Sequence, residues 1–165
     1  MVSAWCRDET LVKSLLVVRF RGTVNVREPV KRILEQLHLT KKFRATIIPD
    51  TPDWRGMLMV TKDHVSWCPI NSSFISKLIK GRGRKEGWKP LKLKDVKEMN
   101  FKSFSDLAKS LEKGKTVLKE VKGMKSFFSL SPPRGGFKRS TRRMYAQGGI
   151  LGENPELISI VEKMI

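Results

Sequence analysis

Cysteine is nearly absent from this chain: Cys6 and Cys68 are the only two in 165 residues. Two thiols cannot build the disulfide framework of a small secreted domain, and reduced thiols of the cytosolic kind are the reading they support. Histidine is as scarce. Neither His38 nor His64 stands at a ligand spacing to a cysteine, an aspartate or the other histidine, so both read as packing or surface residues rather than metal ligands or general bases. No apolar run approaches the roughly 20 residues that cross a bilayer. The stretch Leu15 to Val18 is too short for the core of a signal peptide and follows acids at Asp8 and Glu9. No Ser/His/Asp or Cys/His constellation can be assembled, which leaves catalysis without a candidate. Acids are the last shortage: 16, against 34 Lys plus Arg, with none between residues 121 and 152.

What remains is a strongly cationic chain, with net charge +18 and a pI near 10.3. Such a charge calls for a polyanionic partner, nucleic acid before an anionic membrane surface. The membrane alternative is weakened by helices that lack a broad aromatic apolar face. A hydrophobic fraction of 39% argues against disorder. The charge is uneven: residues 1–70 hold 12 basic and 7 acidic residues, while 71–165 hold 22 and 9. The first part reads as a folded core and the second as a partner-facing addition.

Local pattern supplies the elements. Leu15-Leu16-Val17-Val18-Arg19-Phe20-Arg21 predicts a strand ended by Gly22. Asn25 with Glu28 has the spacing of a capping box, and Val26, Val30, Ile33, Leu34 and Leu37 form one helical face. Lys41, Lys42 and Arg44 flank Phe43 in a basic turn before a second strand, Ala45 to Ile48. Thr51 and Pro52 open a second helix as N-cap and first residue, with Trp54, Met57, Leu58 and Thr61 inward. Val65 to Cys68 is a third strand. Asn71 caps a third helix marked by Phe74, Ile75, Leu78 and Ile79, and Asp106, Leu107 and Leu111 predict a fourth. Phe127 to Leu130 reads as a last strand, and Asn154 to Ile165 as a closing helix with Leu157, Ile160 and Val161 on one side. The order β-α-β-α-β suggests one small sheet with both helices on one face.

Gly114-Lys115-Thr116 invites a phosphate-loop reading, but the glycine such a loop needs five residues earlier is Lys109. A helix-ending glycine explains it better. Asp50 and Asp53 support a helix N-terminus. Asn71-Ser72-Ser73 matches a glycosylation sequon without a secretory signal to support its use. The basic runs carry more. Arg82, Arg84 and Lys85 form one, and Arg134, Lys138, Arg139, Arg142 and Arg143 the other. Glycines at 81, 83, 87, 135 and 136 allow backbone to approach phosphate closely. Trp88, Phe137 and Tyr145 lie within the runs, where they can stack on unpaired bases.

Several ordered segments then resemble one family. Val17-Val18-Arg19-Phe20-Arg21-Gly22-Thr23-Val24-Asn25-Val26 is similar to the opening of ribosomal protein L thirty in its archaeal form. Pro49-Asp50-Thr51-Pro52-Asp53-Trp54-Arg55-Gly56-Met57-Leu58 resembles the family's most recognisable segment, and Lys62 to Trp67 resembles the family segment next to it in the chain. Ser131 to Phe137 and Gly148 to Gly152 resemble the C-terminal motifs of the long form, whose eukaryotic relative is called L seven. The match runs from about residue 13 to 165, weaker over about 88–122; residues 1–12 do not match, and Trp5 and Cys6 have no assigned role.

The resemblance implies an α+β protein: a ferredoxin-like-related β-α-β-α-β core over 13–70, a basic helical insertion over 71–123, and a last strand with a basic C-terminal extension packing on the core over 124–165, with 1–12 as an N-terminal extension. It implies a structural constituent of the large ribosomal subunit, cytoplasmic and without enzymatic activity or cofactor. Its partners would be large-subunit ribosomal RNA, near 5S ribosomal RNA, and neighbouring ribosomal proteins, with no membrane and no small-molecule substrate. By motif position Arg19, Arg21, Arg55 and the basics at Lys41, Lys42 and Arg44 resemble family RNA contacts. The basic loop and tail are expected to thread between RNA helices and order on binding. Gly56 within a helix points to close approach by RNA or by a packed backbone. The competing expectation is a small anion-binding enzyme of acylphosphatase type on the same scaffold, with Arg21 and Asn25 converging on one anion.

Overall fold

A computed structural model describes residues 14–98, 101, 103–114, 116–118, 121 and 123–165. The expected N-terminal extension, with Trp5 and Cys6, and the Lys115 of the Gly-Lys-Thr triplet lie outside the described residues. The predicted core order is present: β1 (Ser14–Arg19), α1 (Glu28–Gln36), β2 (Arg44–Pro49), α2 (Pro52–Thr61) and β3 (Val65–Pro69). β1 is central. It pairs antiparallel with β2, from Ser14↔Pro49 to Val18↔Ala45, and with β3, from Leu15↔Pro69 to Arg19↔Val65. All six of its residues are buried. That is why Leu-Leu-Val-Val shows no alternation: a strand covered on both faces has no polar side to encode.

The chain continues through α3 (Ser72–Arg82), α4 (Leu93–Glu98), α5 (Phe104–Glu112), β4 (Phe128–Ser129), β5 (Ser140–Met144), β6 (Gly149–Glu153) and α6 (Leu157–Glu162). The strands form one sheet in the order β4-β2-β1-β3-β6-β5. β3–β6 and β6–β5 are parallel, and the other pairs antiparallel.

The period of two along β1 divides the core. Leu15 and Val17, with Ile48, Val65 and Trp67, meet Val30, Leu34 and Leu37 of α1 and Leu58 of α2. Leu16 and Val18, with Ala45, Ile47 and Cys68, belong to a larger cluster built from α3, α5 and α6. Thus α1 and α2 share one face, as expected, and the later helices cover the other.

Several local expectations meet their residues. Thr51 caps α2, its hydroxyl accepting from the Trp54 N–H at 3.4 Å. Gly114, at φ +63°, stands just past the end of α5. Others are corrected. Asn25 is not a cap: it takes a left-handed φ of +55°, α1 starts after Arg27, and no side-chain cap bond forms there. Asn tolerates that conformation better than most residues. Asn71 occupies the cap position of α3 without a side-chain bond. The strand expected to be last, Phe127 to Leu130, is the two-residue β4, paired with Arg44 and Ala45, and two further strands follow it. β5 and β6 were not expected. They place the basic C-terminal part inside the sheet, with β6 hydrogen-bonded between β3 and β5.

Candidate nucleic-acid interface

Four of the residues expected at an RNA surface are used inside the molecule. Arg19 is only 2% exposed. Its guanidinium donates to four carbonyls: Nε to Arg21 at 2.9 Å, Nη1 to Leu39 at 2.7 Å and to Thr40 at 2.9 Å, and Nη2 to Gly22 at 2.8 Å. Burial pulls its pKa below the ordinary arginine value, and the carbonyl oxygens supply the compensation a buried cation needs. Arg19 therefore braces the loops at the end of β1 rather than facing a partner. Arg82 is half-buried and holds the C-terminal residues, donating to the carbonyls of Ile165 and Met164, each at 3.0 Å, and to the Ser131 hydroxyl at 2.6 Å. Lys85 pairs with Asp95, whose second oxygen accepts the Lys92 N–H at 2.8 Å. The Lys85 hydrogen bond holds the Asp95 carboxyl below the usual range. Phe137 is a plug, edge-on to Phe20 at 5.6 Å and stacked on Phe43 at 6.2 Å.

That plug arranges others. Phe20 follows β1 and Phe43 precedes β2, so the turn carrying Arg134 and Lys138, both exposed, is drawn to the end of the sheet that also bears Arg21, Lys41, Lys42 and Arg44. Lys41 and Lys42 are exposed, and Lys42 lies over Gly22, where a Cβ would come within 3.1 Å of its Cε. Arg21 lines a cleft of about 430 Å³ with Val24, Asn25, Arg27, Val60 and His64. The His64 imidazole is held below its ordinary pKa by burial and by the Arg21 and Arg19 charges, so it adds no cation there at neutral pH. Arg21 and Asn25 both line this cleft, together with the acidic Asp63.

Arg55 belongs elsewhere, near the start of α2 at the opposite end of β2. It is exposed and held in a two-point bond by Asp50, at 2.5 and 2.7 Å, a partner that raises its pKa. On β5, an edge strand, Arg142 and Arg143 are exposed. Arg139 bonds Glu156 at 3.1 Å and lies 5.0 Å from the Tyr145 ring, while the Tyr145 hydroxyl donates to the same carboxylate at 3.2 Å. Arg84 is half-buried on a bridge with Pro90.

Trp88 is 53% exposed and belongs to a group that sequence reasoning found only in part. Phe127 is 6.1 Å away and roughly perpendicular, the Lys125 ammonium sits 3.6 Å from the Trp88 ring centre, and the Arg44 guanidinium lies 4.0 Å from that of Phe127. Lys125 and Phe127 were missed, as was Arg27. The signal was the alternation Lys125-Ser126-Phe127-Phe128, in which only Phe128 is fully buried. Among the described residues, no three His, Cys, Asp or Glu side chains are placed to hold a metal ion, and no helix is long and apolar enough to cross a membrane.

Residues 15–65 match the family described as ribosomal protein L30p/L7e. The large ribosomal subunit protein uL30 of Nitrosopumilus maritimus is 39% identical over 155 residues, covering 94% of this chain and 100% of its own length. That of Cenarchaeum symbiosum is 41% identical, covering 91% and 97%. That of Archaeoglobus fulgidus is 38% identical, covering 90% and 97%. With similarity of this level over nearly the whole of each chain, and with the core elements found where the motifs predict them, the chain belongs to the ribosomal protein L30p/L7e family.

Proposed function

We propose that this chain is a structural, non-catalytic constituent of the large ribosomal subunit, binding ribosomal RNA and supporting subunit assembly and translation in the cytoplasm. The observation that carries the reading is the near end-to-end match to large-subunit proteins. The cationic end of the sheet gives that match a physical meaning. Arg21, Lys41, Lys42 and Arg44 from the core, with Arg134 and Lys138 from the C-terminal turn, supply phosphate contacts from one side. Arg142 and Arg143 on β5, and Arg55 near the start of α2, supply others. These contacts position the protein by RNA shape and backbone, with little sequence readout. In this reading the Arg21 cleft takes a backbone phosphate rather than an acyl phosphate. Proximity to 5S ribosomal RNA and to neighbouring ribosomal proteins is part of the same proposal and rests on the family resemblance.

The test is sedimentation of a native extract through sucrose at low and at raised salt, with detection of this chain in each fraction. Co-migration with the large subunit at both salts is expected, because shape and burial add to the salt-sensitive phosphate term. Recovery only at the top of the gradient at low salt overturns the proposal.

A further inference from the structure

Of the three aromatics within the basic runs, two are committed to the molecule itself: Phe137 to Phe20 and Phe43, Tyr145 to Glu156. Trp88 is different in three independent respects. Its backbone lies at φ +61°, a left-handed conformation that is a genuine outlier for a bulky side chain and is strained. Its surroundings impose that conformation: Trp88 N–H donates to Lys85 O at 3.1 Å, Lys85 N–H donates to Lys89 O at 2.9 Å, and Lys125 N–H ties the hairpin down through Arg84 O at 3.0 Å. The strain does not serve burial, because the indole ends up 53% exposed. The Lys125 ammonium lies over the ring and Phe127 packs roughly perpendicular to it at 6.1 Å, yet about half of the indole stays in solvent, where a partner can reach it.

We infer that Trp88 is a stacking platform for one unpaired base of ribosomal RNA, with Lys125 and Arg44 placed for the flanking phosphates. This rests on the proposed function and goes beyond it, since that function asks only for phosphate and shape. A cation on one face of an indole and a base on the other is a favourable arrangement for both. Phe127, wedged between Arg44 and Trp88, keeps the two cations apart at the spacing of its own ring contacts. Charge complementarity selects the occupant: a bare apolar partner would have to desolvate Lys125, whereas a nucleotide brings the anion that pairs with it. A stacked base is also sequence-tolerant, in keeping with a protein that reads shape.

The test uses the full chain, with deproteinised large-subunit ribosomal RNA of Nitrosopumilus maritimus as the probe. Trp88→Gly removes the ring and relieves the left-handed backbone, so it is expected to melt no lower than the parent while binding RNA about 10-fold more weakly. The slope of log affinity against log salt is expected to stay unchanged, because an indole releases no counterion, whereas Arg143→Ala is expected to flatten it by about one. Trp88→Phe is expected to recover most of the loss, and RNA is expected to quench the tryptophan emission of the parent more than that of Trp88→Phe, which keeps Trp5, Trp54 and Trp67. Parent and Trp88→Gly binding the RNA equally overturns the inference. If Trp88→Gly then leaves assembled subunits more readily than the parent, a protein neighbour meets the indole instead. Failure of the parent itself to bind overturns the proposed function as well.

Discussion

Arg19 and Arg21 are two positions apart on the same strand end, and the chain puts them to opposite uses. Arg19 satisfies four carbonyls from two loops, while Arg21 lines an open cleft. Sequence made the positive charge legible but not this division. Whether an arginine is spent inside depends on carbonyls such as Leu39 and Thr40, which come from another part of the chain. Arg19→Ala is expected to lower stability by about 3 kcal/mol in urea unfolding, because buried acceptors lose their donors; Arg21→Ala is expected to change stability little. Cys68 is the other residue with a definite chemical consequence. Burial, opposed only weakly by a hydrogen bond from the Ile158 backbone, pushes its thiol from 9.0 up to about 12. The folded chain then keeps a proton that the unfolded chain releases, so this group's contribution is constant below pH 9 and falls as the pH rises from 9 towards about 12. Cys68→Ala is expected to show a shallower loss of stability over that interval. In a Cys6→Ser background, native protein is expected to resist thiol reagents at pH 8 until it is unfolded.

The elements legible in sequence were those whose signal is local. β1 to β3 and α1 to α3 could be read because their apolar periods lie within a dozen residues, helped by the early prolines of α1 and α2 and by the Thr51 cap of α2. β5 could not: Ser-Thr-Arg-Arg-Met is an exposed edge strand, and its partner β6 is a glycine-flanked segment whose other neighbour, β3, lies far back in the chain. The Arg142 and Arg143 side chains on β5 also discourage another chain from adding at that edge. Within α2, the reason for a mid-helix glycine is now narrower. A Cβ built on Gly56 meets nothing within 4 Å, so packing of α2 on the sheet does not require it. Gly56→Ala is expected to stabilise the isolated protein by about 1 kcal/mol in thermal or denaturant unfolding. If the same variant enters large subunits less well, the glycine serves an external surface.

The whole molecule is a sheet with helices on both faces, and the two faces are supplied by different stretches of sequence. The β-α-β-α-β core covers only the side of Leu15 and Val17; the side of Leu16, Val18 and Cys68 depends on α3, α5 and α6. A fragment ending at residue 70 is therefore expected to fail as a stable monomer, with weak near-ultraviolet dichroism and self-association in gel filtration, because an uncovered apolar sheet face has no solvent-compatible state. Full cooperativity in the parent, seen as coincident far- and near-ultraviolet transitions, is the matching expectation. The pairing of β3 with β6, Ser66↔Gly152, also sets a timetable. The early strands and helices make contacts close in sequence and can form as soon as they are synthesised, but β3 keeps an unpaired edge until about half the chain later, when β6 arrives. Folding of this kind is expected to wait on a late, long-range strand insertion, and so to be slower than folding by local contacts alone. During that wait the nascent chain exposes both an open strand edge and the Cys68 face of its sheet, so its yield depends on how quickly the last third is delivered and on what shields the edge meanwhile.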